Sequence, residues 1–278
     1  ALRVYGNPTN VLLRNIHVHG TTEGIVVQGY GNGTDLRAKN TVLDGCKVVA
    51  VWDAANRTEG LFLSHCDRPR MLNCYLGENG WFRFDDTIDQ GNEQQGTNQG
   101  GYFEFVKEPW VDNSIIALNS HAGLQLRCGG TVTRSVFYAN SRNLSYGHGQ
   151  NQYSTAQWDY AASGTDILLW GAKDVGDGTG IPIGEGIGWG QCKSLSLNRY
   201  LIIGDPTYRP TDNAFAINLG ATTGGTTVTL GPGRVYDWNP SGVTTAGSLG
   251  FQGFASTGAT VTITGLGIYE KVGKLVFS

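Results

Sequence analysis

No apolar run in this sequence approaches the roughly 20 residues that a membrane-spanning helix needs. Charge is sparse too. Only 15% of residues are charged, the formal net charge is −3 and there is no basic block, so neither membrane insertion nor nucleic-acid binding is expected. Several catalytic signatures are missing. There is no Gly-x-Ser-x-Gly elbow and no His-Glu-x-x-His helix. Gly171 to Gly190 is rich in glycine but carries no Walker or dinucleotide pattern, so it reads as loops and not as a phosphate cradle. The 5 cysteines, Cys46, Cys66, Cys74, Cys128 and Cys192, are odd in number and widely spaced. That fits neither a disulfide framework nor a zinc site. Buried free thiols serving as small apolar side chains are expected instead. No signal peptide precedes Ala1, and a strand begins close to it, so the chain is expected to be a processed or truncated piece of something longer.

What is present is glycine, 42 residues of it, with 40% hydrophobic residues. This is a turn-rich β composition with enough apolar material for a sizeable core. Two strand types alternate along the chain. The first reads apolar-x-polar-small-x-apolar, as in Leu13 to Val18, Leu43 to Val48, Met71 to Leu76, Val111 to Ile116 and Val132 to Phe137. Looser copies lie near Ile167–Trp170, Leu195–Arg199, Val228–Leu230 and Val261–Ile263. The second type is usually opened by glycine: Gly24 to Gln28, Gly60 to Ser64, Gly101 to Phe105, Gly123 to Arg127 and Asn143 to Tyr146, with late versions at Ala214 to Asn218 and Ser248 to Gln252. A recurrence every roughly 20–45 residues is the mark of stacked repeats, none of which buries its apolar face alone. Short strands and glycine turns without helical periodicity predict a β-solenoid, its strands stacked in parallel about 4.8 Å apart.

This pattern resembles the right-handed parallel β-helix proteins of the pectate-lyase type. The residues that carry the resemblance are the repeated Asn-Ser/Cys-x-Val/Ile/Phe segments, the Gly-Leu-x-Leu strands and, above all, Ser120-His121-Ala122-Gly123-Leu124-Gln125-Leu126-Arg127-Cys128-Gly129-Gly130. That last segment is similar to a Ser-His-Gly-Leu-Gln-Leu-Arg-x-Gly-Gly stretch of bacterial and phage β-helix proteins. Glu78-Asn79-Gly80-Trp81 and Asn98-Gln99-Gly100-Gly101-Tyr102 look like its neighbouring segments. The resemblance implies an all-β fold: a single right-handed parallel β-helix over residues 1–278, with about nine coils and long inserted loops. Residues 222–278 are Thr/Gly/Ser-rich and read as terminal coils or a cap. Two polar insertions, Gly77 to Gly100 and Gly147 to Gly164, interrupt the repeat and are the places where function usually sits.

Period-two alternation gives the expected faces. Inward rows are Ile25/Val27, Leu61/Leu63, Gly101/Phe103, Leu124/Leu126 and Leu144/Tyr146. One outward column runs Val26, Phe62, Tyr102, Gln125, Ser145; the next runs Gln28, Ser64, Glu104, Arg127, Gly147. These outward columns are expected to form an exposed wall on which an extended polymer lies. Arg127 and Glu104 are expected as neighbours, with His121 and Tyr102 as candidates for proton transfer. Gln125 and His65 lie at the same face or its edges. Trp81 and Trp158, in or beside the insertions, are candidates for stacking on sugar rings. A Glu–Arg pair on a sheet face is also a common structural contact, and that reading stays open.

Such helices host lyases, hydrolases, epimerases and adhesins. The first expectation is binding of an acidic polysaccharide and its cleavage by β-elimination, with Arg127 holding the uronate carboxylate. The alternatives are a glycoside hydrolase that pairs carboxylates among Glu104, Asp85, Asp86, Asp89 and Glu93, or a non-catalytic tail-spike or adhesin shaft. The resemblance also implies an extracellular, cell-surface or virion setting and a possible homotrimer. Calcium is a possible ligand of Asp85, Asp86 and Asp89, although their spacing matches no EF-hand loop and a solvated acidic loop is the plainer reading. His17 and His19 are expected on the surface or in turns. Cys46 and Cys74 are expected in one inward column with Ser114 and Ser135.

Overall fold

The computed structural model describes residues 1–30, 36–53, 59–80, 99–127, 129–140, 142–146, 161–171, 187–189, 194–205, 217–218, 227–236, 251–252 and 260–269. Among them there is no helix, and every strand pair is parallel. The glycine-opened segments form a nine-stranded sheet in strict chain order: Leu2–Tyr5, Ile25–Gln28, Glu59–Ser64, Gln99–Glu104, Ala122–Leu126, Arg142–Tyr146, Ile187–Trp189, Ile217–Asn218 and Phe251–Gln252. Most of the other segments form a sixteen-stranded sheet, and Ala38–Lys39 pairs with Cys66–Asp67 in a separate two-stranded one. Each early pass of the chain adds one strand to the first sheet and two to the second.

The second sheet corrects one expectation. Leu13 to Val18 is not one strand but two, Leu12–Arg14 and His17–His19, with Asn15 between them at a φ of 55°. Gly45, Asn73, Asn113 and Arg134 make the same left-handed corner in the next four passes. Glycine and asparagine tolerate that conformation best. The ladder survives the corner: the N–H of Asn15 donates to the Asp44 carbonyl at 2.9 Å, and that of Asn73 to the Asp112 carbonyl at 3.1 Å. In later passes the two strands run together as Ala161–Trp170 and Ser194–Ile203, still turned at Asp166 and Arg199.

Apolar side chains fill the space between the sheets. Ile25, Leu61, Leu63, Met71, Leu76, Phe103, Leu124, Leu126, Phe137 and Tyr146 are fully buried. The expected inward rows stand in register: Ile25 with Leu61, Leu61 with Gly101, Gly101 with Leu124, and Leu124 with Leu144. Cys46, Cys74, Ser114 and Ser135 form the expected small-residue column. The Ser114 hydroxyl oxygen accepts from the Cys74 N–H at 3.1 Å, and that of Ser135 from the Ser114 N–H at 3.2 Å.

A second interior ladder explains why the strands of the first sheet open with glycine. Asn79, Asn119, Asn140 and Asn143 are fully buried. Each amide donates to the next side-chain oxygen: Asn79 to Asn119 at 2.9 Å, Asn119 to Asn140 at 2.7 Å and Asn140 to Asn143 at 3.0 Å. Gly60, Gly100 and Gly123 lie flat against this column. A Cβ on Gly100 would sit 2.6 Å from the Asn119 amide nitrogen and 2.5 Å from the Gly123 carbonyl oxygen, so no side chain fits there.

Candidate functional site

Register brings Phe62, Tyr102, Gln125 and Ser145 into one column on the outer face of the nine-stranded sheet. Ser64 and Glu104 pair in the next column. The N–H of Arg127 donates to the Phe103 carbonyl at 2.9 Å. This carries the ladder one residue past the strand end and sets Arg127 beside Glu104.

Three expected side chains meet here. The Tyr102 hydroxyl donates to Glu104 Oε2 at 3.0 Å. The Arg127 guanidinium carbon lies 4.7 Å from the Tyr102 ring centre, within cation–π range. Phe62 stacks on the same ring, with centroids 5.7 Å apart and planes 15° from parallel. Burial, reinforced by the Glu104 charge, raises the Tyr102 pKa well above the usual phenol value, and Arg127 opposes the rise. Tyr102 is therefore protonated at neutral pH, its hydroxyl donating to Glu104. Arg127 Nε is buried and has no hydrogen-bond partner among the described residues.

His65 joins this end of the face. It follows Ser64 at a φ of 53° and stacks on Phe105, centroids 4.7 Å apart. Its Nδ1 lies 2.9 Å from the Ser64 hydroxyl. Burial lowers the His65 pKa, and the positive charge of Arg37 lowers it further. The imidazole is therefore neutral at pH 7, the form that accepts a proton. Arg37 is itself fixed by the Asp67 carboxylate and by the carbonyls of Cys66 and Phe105.

His121 is not at this end. It precedes the strand Ala122–Leu126, whereas Arg127 follows it. Six residues of extended chain put their backbones on the order of 20 Å apart. Strand alternation gives the face of each residue within the strand, and His121 sits before it, at the opposite edge of the face from Arg127.

Reading the sequence alone missed a further row. Gln99 pairs with Glu59, and Ala122 with Arg142, one step before the glycine and asparagine positions. The Gln99 amide donates to Gln125 Oε1 at 2.7 Å, so this row reaches the same face. The Glu59 charge also helps to raise the Tyr102 pKa. Lining up Gly60, Gly100, Gly123 and Asn143 and reading the preceding residue would have found it.

The expected exposed wall is instead a shielded polar strip. Tyr102 is 9% exposed, Gln125 3% and Arg142 4%. Glu104, Arg127, His65 and His121 are half-buried. Trp81, Trp158, Asp85, Asp86, Asp89 and Glu93 lie outside the described residues, as do Cys128, Gly147 and Cys192. Among the described residues no cluster of three or more His, Cys, Asp or Glu side chains could hold a metal ion. Trp110 and Trp170 are surface residues of the second sheet, at 37% and 44% exposure. Trp170 packs on Tyr138, and Tyr236 stacks on Tyr269 with centroids 4.8 Å apart, so these tyrosine faces are engaged with other rings. His17 and His19 are exposed, as expected. Comparison with protein-family models, with curated proteins and with solved structures finds no match.

Proposed function

We propose that the stacked passes are coils of a right-handed parallel β-helix, and that its outer strip binds an acidic polysaccharide and cleaves it by β-elimination. Unbroken parallel pairing in chain order supports the fold, because parallel crossovers are right-handed in nearly all proteins. The observation that carries the chemistry is the group formed by Arg127, Tyr102 and Glu104, in which a guanidinium lies over a protonated phenol that is bonded to a carboxylate.

Elimination needs a cation on the uronate carboxylate, a base and an acid. Arg127 supplies the cation, with a planar fork that matches a carboxylate. Neutral His65 takes the proton from the carbon beside the carboxylate. The electron pair of that C–H bond forms the new C=C bond, and the C–O bond to the departing sugar breaks. The departing oxygen takes its proton from Tyr102, whose phenolate is then stabilised by Arg127 above its ring. Glu104 orients the hydroxyl. A preorganised cation at developing negative charge is the kind of contribution that dominates many active sites. Polysaccharide suits a long sheet face better than a small metabolite, which favours a deep pocket. The same reading carries the extracellular, cell-surface or virion setting and the possible homotrimer.

The shielding of Tyr102 and Gln125 favours a second reading, a non-catalytic carbohydrate-binding shaft in which the strip is structural. A panel of acidic polysaccharides separates the readings. A rise in the ultraviolet absorbance of unsaturated uronates supports elimination. New reducing ends without that rise indicate hydrolysis, and neither signal across the panel favours binding alone.

A further inference from the structure

We propose that Cys46 and Cys74 form a buried dithiol site that a small-molecule disulfide converts into an intrachain cross-link. The two residues sit at the same corner of consecutive passes. Lys47 pairs with Tyr75, one residue beyond each cysteine, and the Tyr75 N–H donates to the Cys46 carbonyl at 2.9 Å. Adjacent parallel strands are about 4.8 Å apart, inside the Cα separation that disulfides span.

Both residues are free thiols, 2% and 4% exposed. The next two members of their column, Ser114 and Ser135, keep regular hydrogen bonds to the carbonyls two residues back, at 2.9 and 2.8 Å. Cys74 copies that contact at 3.2 Å, while Cys46 makes it only at 3.9 Å and donates instead to the Leu13 carbonyl of the preceding pass at 3.3 Å. Within this column sulfur replaces oxygen in two neighbouring passes whose backbones are paired in register one residue on. Their mutual hydrogen bond pulls the Cys46 thiol down and pushes the Cys74 thiol up, which makes Cys46 the attacking thiolate. Cys66 lies elsewhere, and burial pushes its thiol up to about 12, so it stays unreactive.

The exchange balances with the disulfide reagent as oxidant. The Cys46 thiolate attacks one reagent sulfur, breaks its S–S bond and releases one reagent thiolate. Cys74, losing its proton to solvent, then attacks the Cys46 sulfur and releases the second. The protein loses two protons and two electrons, and the reagent gains them as two thiols.

The test incubates the reduced native chain with 2-hydroxyethyl disulfide below its unfolding transition, then alkylates under denaturing conditions and maps peptides by mass. The expected product is a chain lighter by two hydrogens that carries one Cys46–Cys74 linked peptide, with Cys66 alkylated. Cys46→Ser, which continues the serine column, gives no such product, and Cys74→Ser leaves Cys46 as a mixed disulfide with the reagent. Recovery of Cys46 and Cys74 as thiols, their linkage to Cys128 or Cys192, or failure of Cys46 to react in Cys74→Ser would each overturn the proposal.

Discussion

The Arg127 guanidinium sits 4.7 Å above the Tyr102 ring, and the hydroxyl of that ring is bonded to Glu104 on its own strand. Two adjacent strands thus place a cation, a phenol and a carboxylate on one face. Alternation explains the grouping: Tyr102 and Glu104 are two apart, and register sets Gln125 and Arg127 beside them.

Tyr102→Phe keeps the ring beneath Arg127 and against Phe62 and removes only the hydroxyl. The loss of its bond to Glu104 should cost about 1–2 kcal/mol, read as a lower denaturant midpoint. In the elimination reading the turnover number falls by about 10²–10⁴ and the KM changes little. Wild-type stability and rate in this variant would remove Tyr102 from the site.

The depressed His65 pKa has a definite pH signature. Burial and Arg37 disfavour the imidazolium in the folded chain, so the unfolded chain binds the extra proton first. The stability His65 contributes is full above its unfolded value of about 6.5 and is lost as pH falls through the lower folded value. His65→Gln should flatten unfolding free energy against pH in that window. Asp112 acts lower down. The Arg134 hydrogen bond lowers its pKa, so its contribution is present above about 3.9 and disappears as pH falls through the folded value. An unchanged slope near pH 6 in His65→Gln would contradict the assigned environment.

Leu126 and Arg127 are consecutive and should behave oppositely. Leu126 is fully buried. Its replacement by Ala should cost about 2–5 kcal/mol, and Leu126→Asp should unfold the chain by burying an unpaired charge. Arg127→Ala should leave circular dichroism unchanged, because the guanidinium stack contributes only about 0.5–2 kcal/mol. Equal losses at both positions would mean that the faces are misassigned.

Asn119 accepts from Asn79 and donates to Asn140. Asn119→Ala takes the acceptor from the Asn79 backbone N–H and side-chain amide and the donor from the Leu76 carbonyl, at about 1–3 kcal/mol for each buried group left without a partner, while the Asn140 oxygen keeps the residue 119 backbone N–H. Asn119→Asp should be worse at neutral pH, since a carboxylate accepts from Asn79 but only repels the Asn140 oxygen. Denaturant titrations of the two variants should rank them in that order; a more stable Asp variant would show that the ladder is not donor-to-acceptor throughout.

The parts of this architecture legible in the sequence were those carried by period two. Ile25 and Val27, or Leu124 and Leu126, declare their face because alternate residues must leave a strand on opposite sides. Small side chains at Cys46, Cys74, Ser114 and Ser135 declared a shared slot. Corners were harder to read. Asn15 and Asn73 look like ordinary polar strand residues, yet their left-handed backbone splits one apparent strand into two. The Asn79–Asn119–Asn140 ladder was equally hidden, because a buried asparagine reads as a surface residue until its partners are known. Shielding of Tyr102 was invisible for a different reason: alternation reports direction from the sheet and says nothing about what lies over it.

The most direct test of the proposed site is the rate at which unsaturated uronate products appear from an acidic polysaccharide, compared between the wild-type chain and Arg127→Ala. The account predicts a steady ultraviolet rise with the former and none above background with the latter, both proteins being folded. An equal rise in the two, or none with the wild type on any uronate-containing polymer, would contradict it.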